Sequence, residues 1–156
     1  MKLSPLVPNG GIQTGLKAHD RDLVIAELVS LATTTGVVPT DSREDVVRMV
    51  MDRERRGTTG FGRGVAVPHV KLKGQHKTSV IVGLSPRGID FNALDKQLVY
   101  SVFLLLSPEH RPDDHLHAME VIFRALGNER FRRLLRQAAG EAEVRQLLEE
   151  FDAHTV

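Results

Sequence analysis

Apolar positions along the chain change their period from one stretch to the next. Between residues 20 and 56 the spacing is helical. Leu23, Val24, Leu28 and Leu31 follow Asp20, a residue suited to capping a helix, and Gly36 can stop the element. Val46, Val47, Val50 and Met51 give a second helix its apolar face. That helix is expected to start near Ser42, with Asp45 placed as in a capping box, and to run to about Arg56. Beyond a glycine-rich stretch the period changes. Ser79 to Leu84 and Leu98 to Leu106 are rich in β-branched and apolar residues, and the second is apolar almost throughout, as in a strand covered on both faces. Gly88 to Phe91 can add an edge strand. After Pro108 and Pro112 the helical period returns. Asp113 or Asp114 would cap a helix whose buried stripe is Leu116, Met119, Phe123 and Leu126, ended by Gly127. Asn128 would cap the next, carrying Phe131, Leu134 and Leu135, and a last helix carries Val144, Leu147 and Leu148. Residues 1–18, rich in Gly and Pro, read as partly loose, with a short strand around Gly11 to Thr14. Helices, then strands, then helices predict the α/β class, a mixed β-sheet flanked by helices.

Bulk properties narrow the picture. The 156 residues suit a single domain over 1–156, and 41% hydrophobic with 26% charged residues is a normal globular balance. With 21 basic and 20 acidic residues the formal charge is +1, which argues against a nucleic-acid binder driven by a large positive field. No apolar run approaches the roughly 20 residues that a membrane span needs. The start, MKLSPLVPNGG, lacks the apolar stretch of a secretory signal. A soluble, cytoplasmic chain without membrane insertion is expected. The absence of cysteine removes disulfides, thiolate metal sites and thiol nucleophiles.

The stretch GTTGFGRGVAVPHVK differs in kind from its surroundings, with Gly57, Gly60, Gly62 and Gly64 falling within eight residues. Such a loop needs unusual dihedrals or close approach. Its backbone N–H groups suit an anion, and His69, just beyond Pro68, suits a nucleophile held by its second ring nitrogen. An ordinary polar turn residue is the plain alternative. His115 and His117, two apart, do not share a helix face, so one would turn toward a site and the other toward solvent. On an extended segment the two would join His69 as a three-histidine zinc site. Arg53 can pair with a phosphoryl group, although arginines in a last helical turn are commonplace. Together these residues describe phosphoryl transfer better than hydrolysis, and neither a Walker loop nor a Gly-x-Ser-x-Gly elbow is present.

MDRERRGTTGFGRGVAVPHVK resembles the active-site signature of the IIA components of the bacterial phosphoenolpyruvate-dependent phosphotransferase system, fructose–mannitol type. The likeness extends along nearly the whole chain, through Leu3 to Leu6, Gly88–Ile89–Asp90–Phe91, Leu94–Asp95, LLLSPEH and HLHAMEVIFRAL. In pattern and length it is nearest to the nitrogen-regulatory branch. The resemblance implies a mixed sheet flanked by helices and no metal or organic cofactor. It places the phosphorylated histidine on His69, a second site histidine on His115 and the neighbouring arginine on Arg53. Thr59, Gly60, Gly62, Gly64 and Pro68 fall on the loop that shapes the site. The implied donor is a histidine phosphocarrier protein, HPr or its nitrogen-branch paralogue.

Two positions depart from the family pattern. Val70 stands where a small residue is frequent and Phe61 where a smaller aliphatic is usual, both expected beside the reactive ring. They leave open a degenerate relative that binds partners without phosphotransfer. Sugar-transport members pass the group to a IIB domain that uses cysteine. With no cysteine and no membrane segment here, a free-standing regulatory carrier acting on a target protein is expected, a separate IIB being the alternative.

Overall fold

The computed structural model describes residues 1–154. Its strands are β1 (Ile12–Gln13), β2 (Gly60–Gly62), β3 (Val65–Ala66), β4 (His69–Leu72), β5 (Ser79–Ile89) and β6 (Val99–Pro108). Its helices are α1 (Arg21–Thr34), α2 (Arg43–Arg55), α3 (Pro112–Leu126), α4 (Glu129–Gln137) and α5 (Glu141–His154). The sheet is mixed, in the order β1-β5-β6-β3-β2, with β4 also on β6. The β5/β6 pair is antiparallel, while β1 runs parallel to β5, and β3 and β4 run parallel to β6.

Alternation along β6 divides the core into two. Phe103 and Leu105 face α3, α4 and α5 together with Val80, Val82 and Leu84 of β5. Val102, Leu104 and Leu106 face α1 and α2. Because both faces of β6 are covered, its sequence is nearly continuous in apolar residues rather than alternating.

Caps account for two helix starts as expected. The Asp20 carboxylate accepts from Leu23 N at 3.0 Å, and Asn128 Oδ1 accepts from Phe131 N at 2.9 Å. Ser42 makes no side-chain cap, since a 3₁₀ turn over Thr40–Ser42 leads into α2 instead of an extended residue. Neither Asp113 nor Asp114 caps α3; Arg111 precedes it and Pro112 occupies its first position, where the missing N–H costs nothing.

Two stripes are rotated from expectation. In α1 the buried residues are Val24, Ile25, Leu28, Val29 and Ala32, and Leu23 is exposed. In α3 they are Ala118, Val121, Ile122, Ala125 and Leu126, while Leu116 and Phe123 face outward. The two alanines let α3 approach the sheet closely, which sends the bulkier Leu116 and Phe123 to the surface. Gly88 and Ile89 belong to the end of β5, not to a separate edge strand. The opening segment is packed against α5, contrary to the expectation of a partly loose stretch. Leu3 and Val7 are buried. Asp152 accepts from Leu3 N and Ser4 N at 2.7 and 2.8 Å, and Arg145 donates to the carbonyls of Ser4, Val7 and Pro8.

Candidate functional site

The glycine-rich stretch folds as three short strands instead of an open loop. Residues 65–72 run along one edge of β6 in two steps: Val65 and Ala66 pair with Ser101 and Val102, and His69 pairs with Leu105. Pro68, which has no N–H, sits at the break and accepts from Leu105 N at 2.9 Å. The break turns the Val67 carbonyl toward the His69 ring, whose Nδ1 lies 2.8 Å from that oxygen. A carbonyl can only accept, so the proton is on Nδ1 and Nε2 keeps its lone pair. Burial pushes the His69 pKa down, against the raising effect of the Val67 bond, and the charges of Arg53 and Lys71 push the same way as burial. The ring is therefore held neutral.

His115, in the first turn of α3, brings its ring to 5.5 Å from that of His69, centroid to centroid. Its Nδ1 is bound to the hydroxyl of the fully buried Ser107. Burial, then His69 and Lys71, lower the His115 pKa to about 4, so it too is neutral at rest. Arg53 reaches the same cleft from the last turn of α2, steadied by a 2.9 Å bond to the Gly57 carbonyl. The cleft, of about 500 Å³, is lined by Met49, Asp52, Arg53, Arg56, His69, Val70, Lys71 and His115. His117 is exposed, as expected of a residue two positions from His115. Among the described residues no three His, Asp or Glu side chains form a metal-binding group, so the zinc alternative finds no ligand set.

A relay of hydrogen bonds ties α2 to the His69 ring. Glu54, 2% exposed, accepts from both the N–H and the hydroxyl of buried Thr59. The Thr59 carbonyl accepts from Val67 N at 3.1 Å, and the Val67 carbonyl holds His69 Nδ1. Burial pushes the Glu54 carboxyl up; the Thr59 bonds and the charges of Arg21 and Arg53 oppose it. Glu54, Ser107 and Lys71 were not singled out in sequence. An acid in the last turn of a helix, where the dipole disfavours it, is the one sequence signal that points to Glu54.

The glycines lie elsewhere. A Cβ on Gly60 would meet Ala93 at 2.9 Å, one on Gly62 the Asp95 carboxylate at 3.2 Å, and one on Gly64 the Tyr100 ring at 3.1 Å. They permit close packing of the β2–β3 hairpin on residues 93–100, and none lines the cleft. Val70 does line it. Phe61, expected beside the ring, instead makes an edge-to-face contact with Phe123 at 4.9 Å and does not line the cleft.

Residues 6–151 match the family model described as "Phosphoenolpyruvate-dependent sugar phosphotransferase system, EIIA 2". A nitrogen regulatory protein of Bradyrhizobium diazoefficiens is 36% identical over 137 residues, covering 87% of each chain. The fructose-specific EIIABC component of Bacillus subtilis is 26% identical over 152 residues; the match takes in 97% of this chain but only 24% of that longer protein. The fold is shared with the nitrogen regulatory protein IIA-Ntr of Neisseria meningitidis, at a TM-score of 0.83 over 93% of this chain and 97% of that one, with 24% identity. With a neutral histidine pair facing a cationic cleft and a family match over nearly its whole length, the chain belongs to the EIIA type 2 family of phosphotransferase-system components.

Proposed function

We propose that His69 is the phosphoryl acceptor and that the transferred group is received on Nε2. The observation that carries this reading is the Nδ1–Val67 bond, which leaves Nε2 as the free nucleophile. The Nε2 lone pair attacks phosphorus, the N–P bond of the donor phosphohistidine breaks, and its electron pair returns to the donor ring. The Val67 carbonyl stabilises the positive charge that the His69 ring acquires. Arg53 and Lys71 face the phosphoryl oxygens. The Ser107 hydroxyl, donating to His115 Nδ1, keeps a proton on His115 Nε2 and so supplies a neutral donor to the same oxygens. Thr59, Gly60, Gly62, Gly64 and Pro68 shape the segment that delivers the ring.

The donor is a histidine phosphocarrier protein, docking beside the exposed Leu116, in the turn next to His115. The chain acts in the cytoplasm as one unit over 1–156 and serves as a regulator linked to nitrogen or general metabolism, as its Bradyrhizobium relative is named. Phosphorylation adds about −1.5 to −2 charges to a cleft holding Arg53, Arg56 and Lys71, and so changes which target surface is accepted. The similarity to a fructose-specific EIIABC component supports a second reading, in which the group passes to a separate cysteine-bearing IIB.

Intact-mass spectrometry after incubation with phosphoenolpyruvate, enzyme I and a phosphocarrier tests the proposal. An acid-labile gain of ~80 Da, the mass of one phosphoryl group, is expected in the wild type and not in His69→Ala. Labelling that survives in His69→Ala would reject it. Onward transfer to a IIB cysteine would favour the sugar-transport reading.

A further inference from the structure

Helix α4 carries four arginines in nine residues, in a chain whose formal charge is only +1. Arg132 and Arg136 stand one turn apart on the same face, where like charges repel. Arg133 lies beside them. The β2–β3 turn brings Arg63, at φ +60°, against the same face. Two hollows of about 450 Å³ share Arg63, Arg132 and Arg136 in their walls; Arg133 lines one, and Tyr100 the other. Among the described residues none of these four guanidinium groups has a carboxylate within ion-pair distance. Two carboxylates also line these hollows, Glu129 in the first and Asp95 in the second. That of Asp95 is taken by Arg63 N and Gln97 N at 3.1 Å each, and Glu129 opens α4.

Two of the guanidinium groups are already oriented. Arg136 lies 3.6 Å over the centroid of Tyr100, with its plane held by the ring and its N–H edges left to other partners. Tyr100 can occupy that position because Gly64 has no Cβ to meet it. Arg132 is anchored through one nitrogen to the Leu126 carbonyl at 2.8 Å. Preorganised, uncompensated guanidinium forks match phosphate oxygens in geometry as well as charge.

We infer that the arginines shared by these two adjoining hollows bind a small polyphosphate anion, such as a di- or triphosphate group, at a site separate from the histidine cleft. By strand register, Val65 opposite Ser101 and His69 opposite Leu105 lie about 13 Å apart along β6, and the hollows lie beyond the Val65 end. A compact anion can meet the shared Arg63, Arg132 and Arg136 over a short span, whereas an extended acidic segment would run on against the Asp95 or Glu129 carboxylate that lines each hollow.

Isothermal titration of the full chain with sodium tripolyphosphate, at fixed ionic strength, tests this. Sulfate and an octaglutamate peptide serve as comparisons. One-to-one binding at least tenfold tighter than sulfate is expected. It should persist in a His69→Ala, Arg53→Gln double variant, which removes the histidine cleft as a binding site. The double variant Arg63→Gln, Arg133→Gln alters two exposed side chains outside the core and should weaken binding at least tenfold. Arg48→Gln, on α2, should not. If that double variant is not folded by circular dichroism, Arg63→Gln alone must show the loss. Tripolyphosphate binding no tighter than sulfate, binding lost with the histidine cleft, binding indifferent to the arginine changes, or tighter binding of octaglutamate would each overturn the inference.

Discussion

Around Leu105 on β6, the neighbouring strand presents His69, a ring desolvated, neutral and fixed by one backbone carbonyl. Around Tyr100, at the other end of the same strand, the neighbouring hairpin and α4 present Arg63 and Arg136, charged and without carboxylate partners among the described residues. A nucleophile needs an available lone pair, so the first environment suppresses protonation by burial and spends a hydrogen bond on choosing the nitrogen. A recognition surface needs charge in water, so the second keeps its guanidinium groups exposed and orients them by stacking. The histidine cleft also holds a charged guanidinium, that of Arg53, a kind of element it shares with the second design. Arg53 lowers the His69 pKa and faces the same cleft as the ring.

Removing that shared element should have the largest effect. Arg53→Gln is expected to slow phosphoryl transfer to His69 by about 100-fold, measured by rapid quench, because one preorganised charge is lost from around the transferring group. A rate within threefold of wild type would make Arg53 an ordinary helix-end cation. His115→Ala should slow transfer by about tenfold, the rate equivalent of one neutral hydrogen bond of roughly 1.4 kcal/mol.

Glu54→Ala breaks the relay behind His69 while leaving the cleft's charges in place. Thr59 N–H and hydroxyl would be buried without partners, at a cost of about 1–3 kcal/mol in a urea melt. Unchanged stability would remove Glu54 from the account.

The contrast in protonation can be followed directly. Both histidines have folded pKa values below the unfolded value of 6.5, so the unfolded chain binds more protons on acidification. Their contribution to stability is complete above pH 6.5 and is lost as pH falls, for His115 down to about 4. Ring ¹⁵N shifts for His115 should show it neutral at pH 5.5. A titration centred near 6.5 would contradict the burial argument. The smallest effect is expected at Phe61. Phe61→Ile should leave transfer to His69 unchanged, since the ring packs on Phe123, outside the cleft. A marked gain in rate would restore the view that Phe61 crowds the site.

The fold was legible where local chemistry decides it. Asp20 and Asn128 cap as read, and the apolar run of β6 correctly marked a strand covered on both faces. The glycine-rich stretch was not, because β2, β3 and β4 have no more than four residues each; β3 and β4 exist through pairing with β6, thirty or more positions away, and β2 only through pairing with β3. The stripe of α3 is hidden in the sequence because its inward face is built on Ala118 and Ala125, which carry little weight in a hydrophobic pattern beside Leu116 and Phe123. His69, His115 and Arg53 were recognised from the motif, and the structure brings them to one cleft. Ser107 and the Val67 carbonyl could not be, since the first looks like any strand serine and the second has no side-chain signature. Arg63 and Arg136 likewise become neighbours only when the hairpin folds onto α4.

The account's central claim is that the Val67 carbonyl selects Nε2 of His69 as the acceptor. Long-range ¹H–¹⁵N correlation of the phosphorylated, ¹⁵N-labelled protein reads which ring nitrogen carries phosphorus. Phosphorus on Nε2 of His69, with Nδ1 still protonated, is the predicted result. Phosphorus on Nδ1, or on His115, would contradict it.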